Sequence, residues 1–212
     1  EALHLFERML IDGVVPDKLI FLVILPSCAA EAGLMKSRNI HHYIANHDFE
    51  MDSYIRVALI NIYSKCGSLE DARVMFDRIT SPSLMAWNSI MSAYAHHGQV
   101  IDVTRLLDKM ISDVFIPDDC TLHSILSAFS HTGMVDQGYM YFLYMHSMYN
   151  IMPSVEHFNC LIDLFGRAGK MYEIECLINN LPYQPTGASW MTFVSSCWLH
   201  TFTSDMNISG CY

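Results

Sequence analysis

The sequence predicts an all-α fold, a superhelical α-solenoid of helix-turn-helix repeats, and three observations predict it. Glycines recur in matching contexts, Lys65-Cys66-Gly67-Ser68-Leu69, His96-His97-Gly98-Gln99-Val100, His131-Thr132-Gly133-Met134-Val135 and Arg167-Ala168-Gly169-Lys170-Met171, at spacings of 31, 35 and 36 residues. Prolines form a second, independent series in Pro16-Asp17, Pro82-Ser83, Pro117-Asp118, Pro153-Ser154 and Pro185-Thr186. Between these markers each unit carries two apolar-periodic stretches, for example Ala86 to Tyr94 and Val100 to Met110, and strand signals are absent.

Each part of the unit has its own reason. The first helix repeats an apolar pair, Leu59-Ile60, Ile90-Met91, Ile125-Leu126 and Leu161-Ile162, followed one turn later by Tyr63, Tyr94, Phe129 and Phe165. That spacing makes one buried stripe per helix. The glycine suits the left-handed residue that closes this helix. The second apolar stretch follows it, and the proline suits the link where no helical hydrogen bond is needed. One such hairpin cannot cover its own apolar face, so neighbours must stack, and equivalent positions line up in columns that can track a linear polymer.

Composition bounds what the columns can hold. Twelve Lys and Arg against 22 Asp and Glu give a formal charge of −10, which repels phosphate unless the basic groups share one face. Seven cysteines, an odd number without a C-x-x-C pair, form neither a zinc framework nor an obvious disulfide set, so reduced, buried thiols are expected. The longest apolar run, Leu19 to Ala30, is too short to span a bilayer and is interrupted by Pro26. Glu1-Ala2-Leu3 reads as the middle of a helix, so the start is expected to be a cut edge.

The residues then carry a resemblance. The stretches Ala58-Leu59-Ile60-Asn61-Ile62-Tyr63-Ser64-Lys65-Cys66-Gly67-Ser68-Leu69-Glu70-Asp71-Ala72 and Trp87-Asn88-Ser89-Ile90-Met91-Ser92-Ala93-Tyr94 resemble pentatricopeptide repeats. The resemblance implies a right-handed, tetratricopeptide-like superhelix. It divides the chain into a partial repeat at 1–17 (second helix only), repeats at 18–52, 53–83, 84–118, 119–154 and 155–186, and a truncated carboxy-terminal extension with a divergent tail at 187–212. The alternation of long, short and standard lengths resembles the plant subclass of mixed repeat types. Many of its members select cytidines for editing in organelle RNA, in the mitochondrion or the chloroplast. The His-x-Glu and Pro-Cys-x-x-Cys signature of a cytidine deaminase is absent, so catalysis is expected to fall to a recruited deaminase or other editing factor, and no enzyme activity or cofactor is expected here.

The resemblance also implies site residues, because these repeats read single-stranded RNA at one base per repeat. Fifth and last residues contact the base edge, and second residues of adjacent repeats clamp its face. In the repeat 84–118 this makes Asn88 and Asp118 readers and Met85 and Cys120 the clamp, a pair that resembles the uridine-favouring one. That is the only clean pair; Asn159 with Thr186 also fills the reading positions but departs from the code. Leu22 with Asp52, Val57 with Ser83 and His123 with Ser154 depart from the code, since aliphatic residues cannot read a Watson-Crick edge. Without the repeat context, Asn88 is a polar residue early in a helix and Asp118 a cap near the next one.

A second column, two residues before each glycine, holds Lys65, His96, His131 and Arg167. Stacked, these form a phosphate-contacting stripe, or each complements the negative end of its own helix, and both accounts stay open. His41-His42 and His96-His97 lack metal-ligand spacing and are expected to be exposed helix histidines. Met75, Met91, Met110 and Met145 fall on apolar stripes as core filler. Val103 and Ile174 stand where the family has alanine, as at Ala2 and Ala72, so modest stability and self-association are expected. Three functions from different classes remain: RNA binding without a membrane or small-molecule partner, a protein-binding scaffold of the tetratricopeptide kind, and a degenerate copy that folds but binds little.

Overall fold

The computed structural model describes residues 2–31, 33–47 and 49–195, and in the helix 18–31 the side chains only as far as residue 27. Every regular element among them is helical: α1 Ala2–Ile11, α2 Lys18–Glu31, α3 Gly33–Asn46, a 3-10 turn Phe49–Met51, α4 Ser53–Lys65, α5 Leu69–Asp77, α6 Leu84–His96, α7 Val100–Ser112, α8 Asp119–Thr132, α9 Val135–Tyr149, α10 Val155–Arg167 and α11 Met171–Asn179. A further helix, α12, occupies 187–195. The chain forms two compact units, residues 1–97 and 98–212, so the division between them falls inside the interval 84–118.

Within the first unit the first helices α2, α4 and α6 pack in succession, and α3 and α5 lie against them as the second helices. The second unit repeats the arrangement, α8 packing on α7, α9 and α10, and α10 on α11. The core is the stripe read from the sequence: Leu59, Ile60, Ile90, Met91, Ile125, Leu161 and Ile162 are 0% exposed. Full burial of one such side chain contributes about 1.5–3 kcal/mol. Ile24-Leu25 occupies the same register in α2, and α2 continues through Pro26. Trp87 fills the gap between α5 and α6, edge-to-face with Phe76 at 4.8 Å. Met75, Met91, Met110 and Met145 are all buried.

The turns explain the glycines. Gly67, Gly133 and Gly169 adopt φ of 78, 68 and 72°, and the next backbone N–H reaches back to the helix, as Ser68 N does to Tyr63 O at 2.8 Å. Second helices end the same way at Gly13, Val114 and Asn150, each three residues before a proline. There Phe115 N donates to Met110 O at 3.0 Å and Ile151 N to Met145 O at 2.9 Å. Val114 is out of place chemically, because a β-branched side chain at φ 66° meets its own backbone where glycine or asparagine would not.

The second-helix position that is alanine at Ala72 is Val103, Gly138 and Ile174 in the following repeats, all buried. The extra volume of Val103 and Ile174 is taken up in the core, Ile174 among Leu161, Ile162, Leu164 and Phe165. Gly138 marks the closest approach: a Cβ there would stand 2.6 Å from Leu164 Cδ2 and 3.0 Å from Phe129 Cβ.

Two expectations need correction. The cysteines described in full are free thiols but not buried: Cys66, Cys160 and Cys176 are half-buried and Cys120 is exposed, because they fall at the edges of the stripes. His41 is not an exposed helix histidine, since it packs under α4 with Nδ1 2.7 Å from Tyr63 Oη. The tail Thr201–Tyr212 and the end of the extension lie outside the described residues.

Val114→Gly is expected to raise the stability by about 1 kcal/mol, because it removes left-handed strain at an 88% exposed residue that packs on little. Gly138→Val is expected to lower it by roughly 1–3 kcal/mol through overpacking against Leu164 and Phe129. Urea unfolding midpoints of the two variants check both signs.

Candidate nucleic-acid interface

Several candidate residues lie at helix starts. Five first helices open on a residue whose side chain accepts a backbone N–H: Asp17 Oδ1 accepts from Ile20 N (2.9 Å), Asp52 Oδ1 from Tyr54 N (2.9 Å) and Ile55 N (3.2 Å), Ser83 Oγ from Ala86 N (3.3 Å), Asp118 Oδ1 from Thr121 N (2.9 Å) and Thr186 Oγ1 from Ser189 N (3.2 Å); at α10 Ser154 Oγ lies 2.7 Å from His157 Nδ1 instead. Such a cap contributes about 1 kcal/mol. Asp118 is therefore the helix cap that its residue type alone suggested. Thr121 Oγ1 also donates to Asp118 Oδ1 at 2.9 Å and accepts from Asp118 N at 3.2 Å, which fixes the carboxylate in one rotamer.

Next to each cap, the second residue of the helix points away from the core. In the first unit these residues are Leu19, Tyr54 and Met85, exposed by 67, 54 and 51% on three helices packed in that order. Lys18 Nζ sits 4.6 Å over the Tyr54 ring and 2.6 Å from Asp52 Oδ2, so a cation, an aromatic face and a carboxylate share one helix start. Asp52 is held below the usual carboxylate range: its burial is outweighed by hydrogen bonds from Lys18 and from the Ile55 and Tyr54 backbone. Leu19 and Tyr54 were missed in the sequence, although the second-position rule that picks out Met85 reaches them at the same register. In the second unit Cys120, Glu156 and Ala188 hold this position, and all three are exposed. Burial, with Asp118 and Asp119 nearby, raises the Cys120 pKa, so it presents a neutral thiol.

The fifth residues are less uniform. Leu22, Asn88, His123 and Asn159 are half-buried, whereas Val57 is 6% exposed and serves the core. Asn88 and Met85 belong to the first unit, and Asp118 and Cys120 to the second. Asn159 and Thr186 are joined directly: Ser189 Oγ donates to Asn159 Oδ1 at 2.8 Å and lies 3.0 Å from Thr186 Oγ1.

Third residues of the second unit are polar and fully buried, namely Thr121, His157 and Ser189. His157 Nδ1 accepts the Ser154 backbone N–H at 3.1 Å, so the ring carries its proton on Nε2, 3.1 Å from the Asp119 carbonyl oxygen. Burial lowers the His157 pKa from its ordinary 6.5, against the opposing pull of Asp119. Burial likewise lowers His41, whose Nε2 has no hydrogen-bond partner and stands 3.6 Å from Glu50 Oε1. The neighbouring Cys160 thiol, 3.7 Å from His123 Nδ1, is pushed up to about 12 by burial.

The basic column lies at the carboxyl ends of the first helices. Lys65, His96 and Arg167 are the last residues of α4, α6 and α10, His131 is next to last in α8, and all four are exposed. Arg167 Nε donates to Asp163 Oδ2 at 2.8 Å, and the same carboxylate accepts the Ser130 hydroxyl, so the Arg167 charge is already shared. Among the described residues no cluster of His, Cys, Asp or Glu could hold a metal ion, and no helix is long and apolar enough to cross a membrane.

The family model for the PPR repeat matches residues 57–81, 85–114 and 156–181. Two mitochondrial pentatricopeptide repeat-containing proteins of Arabidopsis thaliana are 33% and 32% identical over 94% of this chain, which spans 22% and 36% of their lengths. A third from the same plant is 36% identical over 94% of the chain and 29% of its own length. Among solved structures, the pentatricopeptide repeat protein PPR10 in complex with an 18-nt psaJ RNA element matches 99% of the chain and 33% of its own, with TM-score 0.78 at 16% identity. The nuclear proteinaceous RNase P 2 of A. thaliana matches 86% of the chain and 42% of its own, with TM-score 0.60 at 14% identity. The all-α solenoid class read from the sequence is the one these structures share.

Because its unfolded form takes up the His157 and His41 protons more readily than the folded form, the protein is expected to lose stability as pH falls below about 6.5. Both contributions are complete above that value. Melting temperatures recorded from about pH 7.5 down to about pH 5.5 should fall, and the slope should shrink in His157→Gln. A flat profile would contradict the neutral, buried imidazoles.

Proposed function

From a chain built of pentatricopeptide repeats, we propose an RNA-binding segment of an organellar RNA-processing factor, one that grips single-stranded RNA and catalyses nothing itself. The observation that carries this reading is the row Leu19, Tyr54 and Met85: exposed apolar side chains at one place on three successive helices, each beside a capped polar residue. A nucleobase stacked on such a row loses water from both faces, and its edge then meets the fifth and last residues. Asn88 with Asp118 and Asn159 with Thr186 are the readers. Met85 and Cys120 are the clamp around the first pair, with Leu19 and Tyr54 extending it. Lys65, His96, His131 and Arg167 contact phosphates, and Lys18 adds a cation beside Tyr54.

The finer reading is site recognition for C-to-U editing in a mitochondrion or chloroplast, as a member of the plant subclass of mixed repeat types, with the chemistry supplied by a recruited enzyme. It is supported by the unequal repeat intervals and by the two relatives named as mitochondrial. A protein-binding scaffold is the competing reading, favoured by the charge of −10.

A fluorescent, uridine-containing single strand is expected to bind more tightly than a duplex, with affinity falling as salt rises. Tyr54→Ala should weaken it about tenfold, the lower range of one lost base stack. Asn88→Ala should narrow the preference for uridine over cytidine. Fluorescence anisotropy reads all three, and absent or salt-independent binding would move the assignment to the scaffold.

A further inference from the structure

Ser189, in the second unit, belongs to none of the readers, clamps or phosphate contacts. Ser189, the third residue of α12, is 0% exposed although it sits between two half-buried polar residues. Its backbone N–H donates to Thr186 Oγ1 at 3.2 Å, which is the helix cap. Its hydroxyl donates to Asn159 Oδ1 at 2.8 Å and lies 3.0 Å from Thr186 Oγ1.

Proton counting decides what this chain of contacts does. A serine hydroxyl has one proton, and here it goes to Asn159. The contact with Thr186 is then a hydrogen bond only if Thr186 donates its own proton to Ser189 Oγ. Thr186, whose Oγ1 already accepts the Ser189 backbone N–H, is left with one unused lone pair and no proton, and Asn159 is held with its carbonyl towards Ser189 and its two Nδ2 protons turned from it. The pair thus offers a base edge a donor from residue 159 and an acceptor from residue 186. The reverse polarity needs the amide to turn over and both hydroxyl protons to reverse together. A free asparagine can turn its amide independently of a neighbouring threonine; this one cannot.

We propose that Ser189 is a positioning residue that couples Asn159 to Thr186 and so sets which hydrogen-bonding pattern this repeat presents to a nucleobase. The proposal rests on the RNA-binding reading and adds to it a residue that touches no base. The capping bond from the Ser189 backbone is independent of the side chain, so Ser189→Ala removes the coupling and keeps the cap. Ser189→Thr keeps the hydroxyl and serves as the rescue.

Two measurements on the whole chain test it. In the protein without RNA, the Asn159 side-chain amide resonances should shift in Ser189→Ala and return towards their original positions in Ser189→Thr. In selection from a randomised single-stranded RNA pool, base enrichment at one position should shrink by about three- to tenfold in Ser189→Ala, the effect of one lost orienting hydrogen bond. The other enriched positions should stay as they were, and Ser189→Thr should restore the first. Unchanged amide resonances, or an unchanged enrichment profile in a chain that binds RNA, would overturn the role of Ser189 and leave RNA binding standing. A parent chain that selects no RNA, with the amide shifts as expected, would overturn the RNA reading and the proposal built on it, while leaving the hydrogen-bond chain as structure only.

Discussion

Each helical hairpin in this protein carries an apolar stripe wider than its own two helices can cover, and the structure follows from how the next hairpin covers it. Leu59 and Ile60 are hidden because α4 lies between α2 and α6, and Leu161 and Ile162 because α10 lies between α8 and α11. In the first unit, successive first helices α2, α4 and α6 are thereby packed one on the next. Their second residues, Leu19, Tyr54 and Met85, are all exposed.

The same helix starts must also satisfy their backbone N–H groups, which have no partner within the helix. The side chains that do this, Asp52, Ser83, Asp118 and Thr186 among them, are the ones expected to meet a base edge. Capping and reading are therefore not alternatives. Asp118 has its rotamer fixed by Thr121 and Thr186 by Ser189 before anything binds, which lowers the ordering cost of recognition.

The fold was legible because two kinds of punctuation, glycine and proline, repeat with the same period as the apolar pairs. Gly67, Gly133 and Gly169 take the left-handed φ that their position called for. Ile24-Leu25 escaped the pairing only because α2 is apolar on every side and shows no stripe. For the candidate site, the sequence supplied the register of Met85 and Asn88 at the start of α6, but not the supporting contacts. Nothing in the sequence distinguishes Ser189 from the 19 other serines, and its link to Asn159 spans 30 residues. His41 was misjudged for the same reason: its partner Tyr63 lies on the next first helix, 22 residues away. Val57, which stands where a polar reader was expected, is buried in the core instead.

The row of caps carries one more implication. If the residue that begins each hairpin must accept a backbone proton to keep its helix intact, its vocabulary is restricted to short side chains bearing an oxygen close to the main chain, and Asp17, Asp52, Ser83, Asp118 and Thr186 all obey. The last position of such a repeat is then confined to a few letters, and any bulkier choice there would loosen the helix that it begins.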